Sequence, residues 1–114
     1  MTRIYKLIDR GRWEQALAQG RFEGAGADLT DGYIHFSTAD QAQETARRHF
    51  AGQGGLVLLS VATESLGEAL RWEPSRGGDL FPHLYSALPT SAVVAAHDIA
   101  LGPDGVPDVA PLLP

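Results

Sequence analysis

The run Leu56-Val57-Leu58-Leu59-Ser60-Val61 constrains this chain more than any other stretch. Side chains on a strand alternate between two faces, and here both faces are apolar. Such a strand belongs in the middle of a sheet, covered on both sides. The cover has to come from the rest of the 114 residues, of which 44% are hydrophobic and 20% charged, ordinary values for one globular domain.

Arg3 to Ile8 alternates well enough to be a first strand, with Ile4 and Lys6 on one face and Tyr5 and Leu7 on the other. Asp9 is placed to cap a helix whose apolar positions are Trp13, Ala16 and Leu17, and Gly20 stands where that helix would end. Arg21 to Asp31, with Gly24, Gly26, Asp28 and Asp31, reads as a loop, either a plain connection or a lid over the strand that follows. A second helix starts at Thr38, where Thr38-Ala39-Asp40-Gln41 fits a capping box, and it carries Ala42, Ala46 and Phe50 on one stripe. Beyond the central strand, Ala69 to Glu73 reads as a short strand stopped by Pro74. Leu80 to Tyr85 reads as another, whose Pro82 points to an edge or a bulge, and Val93 to Leu101 as the last. Early helices followed by clustered strands predict an α+β domain over residues 1–101. Residues 102–114 hold four of the seven prolines and read as a tail packed on the domain or fraying from it.

Composition removes several kinds of chemistry. There is no cysteine, which excludes disulfides, thiolate metal sites and a thiol nucleophile and fits a cytoplasmic protein. The net charge of -5 argues against general nucleic-acid binding. No segment has the length or apolarity of a membrane span or a signal peptide. There is no Gly-x-Ser-x-Gly elbow, Walker loop or Gly-x-Gly-x-x-Gly turn.

What remains is concentrated in two places. Gly32-Tyr33-Ile34-His35-Phe36-Ser37-Thr38 reads as a short strand feeding a capped helix, with Tyr33, His35 and Ser37 on its polar face and Ile34 and Phe36 on its apolar one. His35 is then a hydrogen-bonding group or a general acid–base; the plainer reading is a solvent-facing ring beside a Thr38 that only caps. The second place is Trp72-Glu73-Pro74-Ser75-Arg76 with Phe81-Pro82-His83-Leu84-Tyr85. Joined by the Gly77-Gly78 turn, these segments would gather Glu73, Arg76, His83 and Tyr85, either as a site or as an ordinary hairpin with core aromatics and solvated charges. His35, Glu73 and His83 have none of the usual metal-ligand spacings, and no metal is expected. His49 and His97 read as structural.

Taken together, Ile4-Tyr5-Lys6-Leu7, Trp13, the Gly32–Thr38 run with Gln41 and Thr45-Ala46, Trp72-Glu73 and Phe81-Pro82-His83-Leu84-Tyr85 resemble the family catalogued as domain of unknown function 952. That family is similar in outline to the ADP-ribosyltransferase-like superfamily. The resemblance implies a split pair of small, mostly antiparallel sheets with two short helices around a cleft, and NAD as a substrate. In that frame His35 stands where a nicotinamide-stacking tyrosine is common, and His83 stands where the superfamily often has a late-strand glutamate. That glutamate polarises a ribose hydroxyl, so its replacement sets this chain apart from ordinary transferases. Relatives that dispense with it, the RNA 2'-phosphotransferases, use arginine and histidine around a phosphate. The resemblance implies His35 and His83 as catalytic groups and Ser37 and Thr38 as holding the nicotinamide ribose and amide. It sets Lys6 and Arg76 at phosphate, with His83 and Tyr85 closing the far wall; Tyr33 and Glu73 are further ligand-binding candidates, Glu73 standing off the position of the missing late-strand glutamate. The alternative is a non-catalytic module that binds a ligand or a protein.

Overall fold

A computed structural model describes residues 2–114, apart from the side chain of Arg76. Strand β1 (Arg3–Asp9) runs into helix α1 (Arg10–Gln19) without a loop, because Asp9 ends the strand in an extended conformation and its carboxylate accepts the Arg12 N–H at 2.9 Å. Gly20, at φ 81°, ends the helix in the left-handed conformation that glycine adopts without strain. Trp13 and Ala16 are buried, but Leu17, expected on the same stripe, is 53% exposed. It lies about 100° round the helix from Ala16, and the buried face is too narrow to include it.

The segment expected to be a loop has regular secondary structure in part. It forms β2 (Arg21–Phe22) and a five-residue helix α2 (Ala27–Asp31), so α-helices number three among the described residues rather than two. After β3 (Ile34–His35) comes α3 (Ala39–His49), which begins with the expected capping box. The Thr38 hydroxyl accepts from the Gln41 N–H at 3.3 Å, and the Gln41 side-chain oxygen accepts from the Thr38 N–H at 3.0 Å.

Strand β4 (Leu56–Ala62) is buried along nearly its whole length and lies between β1 and β8, as its two apolar faces require. The remaining strands are β5 (Leu70–Pro74), β6 (Leu80–Leu84), β7 (Leu88–Pro89), β8 (Val93–Asp98), β9 (Ala100–Leu101) and β10 (Pro107–Asp108). They give two three-stranded sheets, β1-β4-β8 and β3-β6-β5, and two short ladders, β2-β7 and β9-β10. All of these pairings are antiparallel. Ile4, Ile8, Val57, Leu59 and Val61 pack on one side of the first sheet with Trp13, Ile34, Phe36 and Leu84. Tyr5, Leu7, Leu56 and Leu58 pack on the other with Ala42 and Ala46 of α3 and with Ile99 and Val109. The alanines let the helix lie close to the sheet.

Pro82 is not on an edge strand, since β6 is the middle strand of its sheet. The Phe36 N–H donates to the Pro82 carbonyl at 3.0 Å, and proline has no N–H to return the bond. Pairing with β3 stops there, so the proline occupies a local edge inside a central strand. The freed chain crosses to the other sheet, where Ser37 and Tyr5 exchange two backbone bonds of 2.8 Å. His35 therefore sits at the junction of the two sheets.

The expected last strand breaks at Ile99, whose side chain turns into the core, and β9 leaves to pair with β10. The tail is packed. Gln43 of α3 donates to the Pro107 carbonyl at 3.0 Å and accepts from the N–H groups of Val109 and Ala110 at 2.9 and 3.1 Å, and the Val109 side chain is fully buried. No helix is long and apolar enough to cross a membrane.

Candidate functional site

His35 and His83 are register partners across β3 and β6, so their side chains project from the same face of the sheet. Their ring centroids are 5.6 Å apart, edge to face. Tyr33 stacks on His83 at 4.2 Å and lies tilted against His35 at 4.7 Å and Tyr85 at 5.1 Å. The alternation that set Tyr33 with His35 in the sequence is realised here as one aromatic cluster.

Each imidazole is gripped by carboxylate. On His83, which is buried, Nδ1 meets Glu73 Oε1 at 2.8 Å, and Nε2 has no hydrogen-bond partner among the described residues. The Tyr85 hydroxyl donates to the same Glu73 oxygen at 2.7 Å, and the Arg71 guanidinium lies 4.8 Å from the Tyr85 ring centre. The bonds from His83 and Tyr85 hold the Glu73 carboxyl below its usual range, and the bond to Glu73 raises the Tyr85 phenol.

On His35, a third exposed at its side chain, Nδ1 meets Asp28 Oδ1 at 2.7 Å and Nε2 meets Asp31 Oδ2 at 2.9 Å. A neutral imidazole carries one N–H, so both contacts are hydrogen bonds at once only when the ring is the cation. Asp28 is buried and also accepts the backbone N–H groups of His35 and Ala25, at 3.0 and 3.1 Å. Lys6 Nζ completes the cluster, 3.1 Å from Asp28 Oδ2 and 3.0 Å from the His35 carbonyl. Burial pushes the Asp28 carboxyl up, but the bond from His35, the Lys6 charge and the two backbone bonds outweigh it and hold it at about 2. Burial likewise lowers the Lys6 ammonium, against the pull of Asp28.

The sequence presents Asp28 and Asp31 only as turn residues of a loop, not as members of the site. Two signals point to them. Lys6 falls on the buried Ile4–Ile8 face of β1 and needs a countercharge there. Asp28 and Asp31 stand three apart just before Gly32, so one helical turn puts both carboxylates beside the strand that follows. Gly24 permits the approach, since a Cβ there would lie 3.0 Å from the Asp28 Cβ.

The structure thus brings together His35, His83, Tyr33, Glu73, Tyr85 and Lys6. Ser37 turns away from the rings, and its hydroxyl bonds to that of Thr45 on α3 at 2.8 Å. Thr38 is the helix cap. The side chain of Arg76 lies outside the described residues. A groove of about 520 Å³ passes Lys6, Asp28, Asp31, His35, Ser37 and His83, large enough for a small ligand. His49, expected to be structural, is exposed at the end of α3 and lines the same groove. Among the described residues, no group of three His, Asp or Glu converges as a metal site.

The model of a family described as protein of unknown function (DUF952) matches residues 7–96. The crystal structure of protein CC0527 from Caulobacter crescentus is 54% identical, with a TM-score of 0.95 over 97% of each chain. The solution NMR structure of CC0527 is 55% identical, with a TM-score of 0.88 over 99% of this chain and 97% of that one. No curated protein matches this chain.

Proposed function

The chain belongs to the DUF952 family of proteins of unknown function, and from that premise we propose that its groove binds NAD or an ADP-ribose or nucleotide-phosphate compound, with His35 and His83 carrying ADP-ribosyl- or phospho-transfer chemistry. The supporting observation is the pair of imidazoles 5.6 Å apart on the wall of a ligand-sized groove, each with a carboxylate at Nδ1. A carboxylate that accepts from Nδ1–H fixes the ring and leaves Nε2 as the basic nitrogen. In this reading His83 takes at Nε2 the proton of a hydroxyl or water whose oxygen bonds to the ribose C1' of NAD as the bond to nicotinamide breaks and nicotinamide leaves as the neutral base, and Glu73 stabilises the imidazolium that results. His35, its ring held by Asp28 at Nδ1 and by Asp31 at Nε2, lines the phosphate or ribose side of the ligand. The antiparallel strands split between two small sheets are in keeping with an ADP-ribosyltransferase-like fold, from which NAD is suggested. Glu73, bonded to His83, supplies the carboxylate that the late strand itself lacks.

Calorimetry with NAD and with ADP-ribose, together with an assay for released nicotinamide, tests this. Binding that disappears in His35→Ala and His83→Ala supports the reading, and each substitution is expected to slow turnover by about 10²-fold or more. Neither binding nor nicotinamide release from the native chain overturns it.

One observation favours the second reading, a non-catalytic binding module. Lys6, Asp28, Ser37 and Thr38 spend their polar atoms on one another or on neighbouring groups, as a structural network does. Ligand binding altered by the two histidine variants with no turnover of any nucleotide is the result expected of a module.

A further inference from the structure

The sheet β1-β4-β8 has a second cavity of about 520 Å³, on the face opposite Lys6. Its floor follows from the register. Tyr5 pairs with Ser60 and Ser60 with Ala95, so these side chains share a face, with Arg3 and His97 two residues away along β1 and β8. Leu112 and Leu113 of the packed tail form an apolar wall.

Ser60 is the one polar residue in the run that organises the fold, and it is only 5% exposed; Tyr5 is 3% exposed. Buried hydroxyls are normally paired. Neither of these has a hydrogen-bond partner among the described residues, and since no fully enclosed side-chain polar atom there lacks one, both hydroxyls open into the cavity. Arg3 makes no ion pair with any carboxylate, side-chain or terminal, among the described residues, and no Asp or Glu side chain lines the space, which Pro114 borders. One guanidinium, an imidazole and two hydroxyl donors suit a single planar anion, because the arginine fork matches a carboxylate. The leucine wall suits an apolar body rather than a bare inorganic ion.

We infer that this cavity binds a small organic monocarboxylate, its head at Arg3 with Tyr5 and Ser60 donating and its apolar body against Leu112 and Leu113. The site is separate from the histidine pair. Titration of the full chain with sodium hexanoate, followed by amide NMR, tests it. The expected result is saturable shifts at Arg3–Tyr5, Ser60, Ala95–His97 and Leu112–Leu113, with 1-hexanol and inorganic phosphate each binding at least about tenfold more weakly. Arg3→Gln changes an exposed residue and should not disturb folding. It is expected to weaken hexanoate about tenfold or more, and Ser60→Ala to weaken it further. Absent or non-saturable shifts, shifts centred elsewhere, hexanol or phosphate matching hexanoate, or an Arg3→Gln chain that binds as tightly would each overturn the proposal.

Discussion

Asp28 and Lys6 form a buried ion pair, 3.1 Å between Oδ2 and Nζ, that ties the short helix α2 to the first strand of the chain. The same carboxylate holds both the ring and the backbone N–H of His35. The position of one candidate catalytic ring therefore depends on a charge pair 22 residues apart in sequence.

Removing one member of this pair leaves the other buried alone. Asp28→Asn is expected to cost about 3 kcal/mol in urea unfolding at neutral pH, and Lys6→Met added to it should recover a large part of the loss. Acid should expose the same interaction. The folded Asp28 titrates at about 2 against an ordinary value of 3.8, so its contribution is fully present above pH 3.8 and is lost as the pH falls through about 2. That share is about 2 kcal/mol and should be missing from the acid unfolding of Asp28→Asn. An acid transition identical in the two proteins would show that Asp28 is not the group being protonated.

Glu73 is expected to set the tautomer of His83. Nitrogen NMR of the native chain should find the proton of the neutral ring on Nδ1, and Glu73→Ala should move it toward Nε2. Tyr85, whose phenol is raised chiefly by its bond to Glu73, should titrate lower in the same variant. An unchanged ring and an unchanged phenol would dismiss Glu73 as the anchor of both.

Gln43 is expected to be the clamp on the tail. Gln43→Ala removes three hydrogen bonds to residues 107–110 and should cost about 2 kcal/mol locally. Hydrogen exchange should quicken at Val109 and Ala110 and stay slow in β4, since only the tail loses its partners. Equal acceleration in both places would mean that the tail and the sheet open as one unit.

Local chemistry was readable wherever residues near in sequence suffice. The Asp9 cap, the Gly20 stop, the Thr38–Gln41 box and the burial of β4 on both faces each follow from a few adjacent side chains. The Tyr33–His35 face and the Glu73–His83–Tyr85 grouping belong to the same kind, since strand alternation and one tight turn bring them together. Asp28 carries no such local sign, because its helix is five residues long and is held by Lys6 and by the strand after it, not by periodicity.

The sequence alone determined the α+β class, the central strand and the two histidine-bearing segments, because periodicity and capping act over a few residues. The tertiary structure alone decided that the two imidazoles are 5.6 Å apart, that Pro82 lies in a middle strand and that the tail closes over α3. Those outcomes rest on strand register and on a buried charge pair, both of which join residues far apart along the chain and leave no local pattern.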